Sequence, residues 1–136
     1  SPRSQRQIEM TIHLDTNFLV GMGSAATPTA RLLEQWLVQG RCLATSSVAW
    51  SEYLCGPVAD DQRAAARRIV GPALPFTEAD AELAAQLFNR SGRQRGSLLD
   101  CQIAAVAIRF RAALATCDHD DFARFTPAGL VLAVQP

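Results

Sequence analysis

Short apolar runs alternate with helix-patterned stretches along this chain, and most of the runs stop on a polar residue. Residues 10–14 read as one strand and 42–45 as a second. Residues 113–116 give a third and 130–134 a last. Within these runs apolar residues are not confined to every second position, so both faces of the strands are expected to be covered. Helices between successive strands supply that cover in parallel α/β folds. The expected class is α/β, a three-layer sandwich with a short parallel sheet flanked by helices.

The helices are marked by their ends. Residues 16–22 look helical, with Gly21, Gly23 and Ser24 as breakers. Thr27 followed by Pro28 is an N-cap with proline in the first turn. Leu32, Leu33, Trp36 and Leu37 give that helix an apolar face, and Gly40 ends it. Ser46 or Ser47 caps a helix that carries Val48, Glu52 and Leu54 and stops at Gly56-Pro57. Asp60 or Asp61 opens another, which runs through Val70 to Gly71-Pro72. Thr77 to Asp80 forms a capping box for a helix through Phe88. A basic loop follows at 90–97. Ser97 then starts a helix to about Phe110 with the stripe Leu99, Ile103, Val106 and Phe110. Residues 118–125 read as a turn or short helix.

A length of 136 residues suits one domain with a real core. Residues 1–9 precede the first methionine, Met10, and are expected to be an unstructured or extraneous tail, leaving 10–136 as the domain. No apolar run approaches the roughly 20 residues that span a bilayer. The N-terminus lacks a charged-then-apolar signal pattern, so a cytoplasmic setting and no membrane partner are expected. Cys42, Cys55, Cys101 and Cys117 form no CxxC pair, and neither histidine has ligand spacing beside it, which disfavours zinc. All four cysteines adjoin apolar segments and are expected to be buried free thiols in a reducing compartment. Net charge is zero, so overall charge gives no argument for nucleic acid. All thirteen basic residues are arginine, a side chain suited to bidentate phosphate contacts.

Four acids stand at or near the ends of apolar segments: Asp15 in IHLDTNFLV, Glu52 in VAWSEYLCG, Asp100 in SLLDCQIAAVA and Asp118 in ALATCDHDDF. In open α/β sheets ligands gather beyond the carboxyl ends of the strands. Asp15 and Asp118 follow strands directly. Glu52 lies within about two turns of the second strand's end, and Asp100 in the first turn of the helix leading into the third. Four converging carboxylates repel one another unless a cation joins them. Hard oxygen ligands suit Mg²⁺ or Mn²⁺. In that arrangement Asp15, Asp100 and Asp118 hold the metal, and Glu52 orients or deprotonates a water that attacks phosphorus. Each acid has a plainer reading. Ser97-x-x-Asp100 and Asp118-x-x-Asp121 both match helix caps. Glu52 fits an exposed helix position and Asp15 a turn.

The same segments resemble the motifs of PIN-domain ribonucleases, most closely the VapC-type toxins of bacterial toxin–antitoxin pairs. IHLDTNFLV looks like the family's first motif, and VAWSEYLCG is similar to its second. LLDCQIAAVA resembles the third and LATCDHDDF the fourth. The four acids follow in order, 37, 48 and 18 positions apart, and the resemblance spans residues 11 to about 133. It implies a PIN-like sandwich, Mg²⁺- or Mn²⁺-dependent endoribonuclease activity on structured RNA such as tRNA or ribosomal RNA, a homodimer and a cognate antitoxin. The acidic metal site becomes Asp15, Glu52, Asp100 and Asp118, with Asp121 a rival for the fourth place. Thr16 and Thr116 match small polar positions that orient metal, water or phosphate. Asn17 matches a structural polar position, and His119 is expected to be exposed and incidental.

An acidic cleft repels a polyanion, so positive charge is needed beside it. Arg90, Arg93 and Arg95 are candidates for RNA phosphate contacts, against the plainer reading of a solvated connection. Leu32, Trp36 and Leu54, with Leu83 and Leu87, suit either a dimer or antitoxin face or ordinary core. Trp50 and Tyr53 read as packing residues. Two other functions remain open: an RNA-processing PIN nuclease without an antitoxin, and a non-catalytic α/β binding module. The missing GxGxxG after the first strand disfavours a dehydrogenase, and the absence of lysine excludes a P-loop.

Overall fold

Four very short strands pair in parallel, in the order β2-β1-β3-β4. They are β1 (Ile12–Leu14), β2 (Leu43–Ala44), β3 (Ala113–Ala115) and β4 (Val131–Leu132). The arrangement is that of a computed structural model, which describes residues 10–23 and 26–133. The expected tail at 1–9 and the end of the expected last strand at Val134 lie outside the described residues. Ile12 pairs with Leu43 on one side and Ala113 on the other, so β1 is central. Leu114 pairs with Leu132 at the β4 edge.

Helices fill every connection, which is why the strands can be parallel. Between β1 and β2 lie α1 (Thr16–Gly21) and α2 (Pro28–Val38). Between β2 and β3 lie α3 (Ser47–Leu54), α4 (Asp60–Val70), α5 (Glu78–Arg90) and α6 (Leu98–Arg109). The short α7 (His119–Ala123) and a 3₁₀ turn lead into β4. Caps fall where the sequence placed them. Thr27 Oγ1 accepts from Ala30 N at 3.1 Å and Ser46 Oγ from Ala49 N at 3.1 Å. Thr77 and Asp80 exchange hydrogen bonds of 2.9 and 3.2 Å. Ser97 departs from this pattern. Its hydroxyl donates to the Gln94 carbonyl at 2.6 Å and does not cap α6, so the Ser97–Asp100 box does not form. Asp118 makes no capping bond to α7 either.

The core is continuous through the sheet. Ile12, Leu14 and Leu114 meet Phe18, Phe122 and Phe125, all at most 1% exposed. Phe18 stacks on Trp36 with ring centroids 5.9 Å apart, placing Trp36 and Leu32 in the core and not on a partner face. Each large side chain buried this way contributes about 1.5–3 kcal/mol of transfer free energy. Every residue of β1 is buried, including His13. Its ring lies 5.6 Å from Phe110, and neither nitrogen finds a partner. Burial, then the nearby Arg109 charge, lower its pKa to about 4. Below it, Arg109 Nε binds the buried Asp80 at 2.6 Å and joins α5 to α6. Burial opposes the Asp80 charge, but the bonds from Arg109 and Thr77 outweigh it and lower the pKa.

Several sequence expectations need correction. Of the α6 stripe only Ile103 and Val106 are buried, while Leu99 and Phe110 lie at its exposed ends. Cys101, Ala104, Ala105 and Ala107 fill the remaining contacts, because small residues let this helix approach neighbours on several sides. Among the cysteines Cys101 alone is buried, and Cys42, Cys55 and Cys117 are exposed. They sit at the margins of apolar segments, where chain neighbours say little about solvent access. Leu54 is exposed as well. His119 is half-buried, with Nε2 enclosed and unpartnered.

Candidate active site

The strand order fixes where ligands can gather. The chain leaves β1 toward β2 on one side and leaves β3 toward β4 on the other. The crevice of such a sheet opens at the carboxyl ends of the two strands between which the direction reverses. Asp15 follows β1 there, and Thr116, Cys117 and Asp118 follow β3.

Asp15 is 4% exposed and held by both oxygens. Oδ1 accepts from Thr16 N at 2.8 Å, and Oδ2 accepts from the Thr116 hydroxyl at 2.8 Å. The Thr116 oxygen in turn accepts from Asp118 N at 3.0 Å, so one hydroxyl sets two acids. Asn17 closes the same turn. Its amide donates to Asp118 Oδ2 at 3.3 Å, and its carbonyl accepts from Cys117 N at 3.3 Å. Thr16 Oγ1 donates to Glu52 Oε1, which ties α1 to α3. Asp15, Glu52, Asp118, Thr16, Asn17 and Thr116 therefore form one hydrogen-bonded set drawn from three distant stretches of chain.

Asp100 joins this set through charge. Its pKa is raised to about 6, first by burial, then by Asp15 and Asp121, with Arg124 opposing and Asp118 adding to the rise. Asp15 is raised by burial above all, against its hydrogen bonds, with Glu52 and Asp118 pushing the same way. Asp118 thus acts on both buried Asp15 and half-buried Asp100, whereas Asp121, exposed like Asp118, acts on Asp100 alone.

These observations bear on whether a divalent cation fits. The donors are all hard carboxylate oxygens, and their mutual repulsion is the field a cation relieves. The positions do not yet close around one ion. Among the described residues no three His, Cys, Asp or Glu side chains form a group able to hold a metal. Thr16 holds Glu52, and Arg124 Nη2 stands 3.7 Å from Asp100 Oδ2. Donor chemistry and charge fit the ion, although the side chains as placed do not form a closed ligand group.

The three loop arginines do not figure among the charges acting on the acids. Arg93 lies over the Phe88 ring at 5.4 Å and donates to Asn89 Oδ1. The cation that reaches Asp100 is Arg124, which the sequence reading passed over. Its signal was its place one helical turn after Asp121.

The PIN domain family model matches residues 12–126, most of the chain and a span that includes the four acids. The chain belongs to the PIN-domain family. The PIN fold also recurs in solved structures. A toxin–antitoxin complex from Klebsiella pneumoniae contains a chain 24% identical, with a TM-score of 0.69 over 93% of this chain and 100% of that one. Mycobacterium tuberculosis VapC20, described as a sarcin–ricin loop cleaving toxin, is 20% identical with a TM-score of 0.66 over 93% and 100%. A VapBC-5 chain from the same organism is 27% identical with a TM-score of 0.57 over 92% and 99%. No curated protein matches the sequence. Among the described residues no helix of this PIN domain is long and apolar enough to cross a membrane.

Proposed function

We propose that this PIN domain is a Mg²⁺- or Mn²⁺-dependent endoribonuclease, the toxin of a toxin–antitoxin pair, acting on structured RNA in the cytoplasm. What supports the reading is the hydrogen-bonded set that includes Asp15, Glu52 and Asp118 at the β1/β3 crevice of a PIN fold, with Asp100 near enough to feel the charges of Asp15 and Asp118. The likeness to toxin chains over nearly the whole length supports the toxin role. Exposed free thiols suit a reducing compartment. Exposed Val20, Val38, Leu54 and Leu98 offer apolar surface for a homodimer and a small antitoxin.

Asp15, Asp100 and Asp118 would hold the metal, with Asp121 in reserve beside Asp100. Bound there, the ion supplies Lewis-acid stabilisation of the phosphate and makes water a better nucleophile. Glu52, aimed by Thr16, would take the proton as the water oxygen bonds to phosphorus and the ester P–O bond breaks, the leaving ribose oxygen taking a proton from solvent. Thr116 and Asn17 keep Asp15 and Asp118 at fixed positions while this happens. Arg90, Arg93 and Arg95 are the candidates for contacts along the RNA backbone.

Sequencing of RNA ends after induced expression tests the reading and names the substrate. Wild-type protein is expected to produce new, discrete 5′ ends and to arrest growth, and Asp15→Asn to do neither. The same ends from both proteins contradict the reading.

A further inference from the structure

The acids explain how phosphorus is attacked but not how a polyanion tolerates them. A cavity of about 200 Å³ beside the site answers this. It lies between the end of α5 and the turn after α7, lined by Arg90, Arg124, Leu87, Phe125 and Pro127 among others. We propose that this cavity seats an RNA backbone phosphate next to the scissile one, held between Arg90 and Arg124. The proposal rests on the nuclease reading for its ligand and deepens it.

Arg124 is built for the role. One end, Nη1, donates to Gln94 Oε1, and the other, Nη2, reaches toward Asp100 at 3.7 Å. That distance is an ion pair and too long for a good hydrogen bond. Nε is buried with no partner. The guanidinium lies over the Phe125 ring, 4.9 Å from its centroid. A phosphate entering from the cavity meets a guanidinium that lines its wall and is already held in place by Gln94 and Asp100. Apolar Leu87, Phe125 and Pro127 surround it, and low local polarity strengthens the pairing.

Arg90 opens onto the same cavity, while its loop neighbour Arg93 is turned onto Phe88 and Asn89. The cavity is thus bounded by two arginines, one of which also touches a catalytic acid. Seating a phosphate there sets the register of the strand against Asp100. An acidic peptide presents similar charge, but the cavity's adjacency to Asp100 favours the nucleic-acid backbone.

Binding of a fluorescein-labelled hairpin RNA to the full chain in EDTA, followed by anisotropy across a salt series, tests the proposal without cleavage. Arg90→Ala, a change at an exposed residue, is expected to weaken binding about five- to ten-fold at low salt and to flatten the log–log salt slope by about one. Arg124→Lys keeps the charge but loses the fork, and is expected to weaken binding while the slope stays near wild type. Wild-type affinity and slope in Arg90→Ala overturn the proposal. So does an Arg90→Ala protein that binds RNA normally but fails to bind its antitoxin. If the expected losses appear in a protein that never cleaves RNA with Mn²⁺, the phosphate seat stands and the nuclease reading falls.

Discussion

The hydroxyl of Thr116 donates to Asp15 Oδ2 at 2.8 Å and accepts from Asp118 N at 3.0 Å. Two acids from opposite ends of the chain therefore share one positioning oxygen, and that oxygen is fully buried. Thr116→Val preserves shape but leaves a buried carboxylate oxygen and an amide without this partner. The expected cost is about 1–3 kcal/mol of stability, with Thr116→Ser restoring most of it. Urea denaturation of the three proteins measures this. Equal midpoints for Thr116→Val and wild type contradict the arrangement.

Thr16 provides a separable contact, because its hydroxyl aims Glu52 and not the acids proposed to hold the metal. Thr16→Val is expected to slow RNA cleavage about ten-fold or more while Mn²⁺ affinity by calorimetry stays within about two-fold. A matching loss of metal affinity contradicts the role given to Glu52.

The sequence made the ordered acids, the caps and the alternation of elements readable, because each is a local signal. Thr27, Ser46 and the Thr77–Asp80 box act over three or four residues and appear where expected. Ser97 shows the limit. Its hydroxyl turns back to Gln94, a choice set by the loop that precedes α6. Sheet order was not readable, since nothing local says that β3 lies beside β1. Arg124 escaped notice for the same reason. Its meaning comes from Asp100 and Gln94, which are close in space and far in sequence. The exposed cysteines show that an apolar neighbourhood in sequence is not burial.

His13 makes stability depend on acid. Its pKa is about 4 in the folded chain against an ordinary histidine value of 6.5, so the unfolded chain takes the proton first. The stability of the neutral ring is complete above pH 6.5 and is lost as pH falls toward 4, by about 3 kcal/mol in full. His13→Leu is expected to remove this dependence. Denaturation midpoints at pH 7.5 and 4.5 measure it, and an unchanged acid loss in the variant contradicts the burial of an unpaired ring.

The Arg109–Asp80 pair holds α5 against α6 with Asp80 1% exposed. Arg109→Met strands that carboxylate and is expected to cost about 3 kcal/mol or more at neutral pH. Adding Asp80→Leu recovers much of the loss. The folded Asp80 pKa is lowered, so the pair's contribution is present above the ordinary carboxylate range and fades as pH falls through the folded value. A double variant as unstable as the single one contradicts this origin.

Burial, with the neighbouring acids, raises the Asp100 pKa to about 6, and a proton there would compete with a cation. Mn²⁺ affinity is expected to be level above about pH 7 and to fall progressively below pH 6. Titration calorimetry at pH 7.5, 6.5 and 5.5 follows it. An affinity that does not change with pH contradicts the placing of Asp100 among the ligands.

Asp15 and its neighbours, which would hold a divalent cation, are proposed to carry the cleavage of RNA. The most direct measurement is cleavage of structured RNA by purified protein in Mn²⁺, with Asp15→Asn beside wild type and circular dichroism of both. Discrete cleavage by wild type, abolished by EDTA and absent from a folded Asp15→Asn, is the predicted result. Equal, metal-dependent cleavage by the folded Asp15→Asn protein contradicts it.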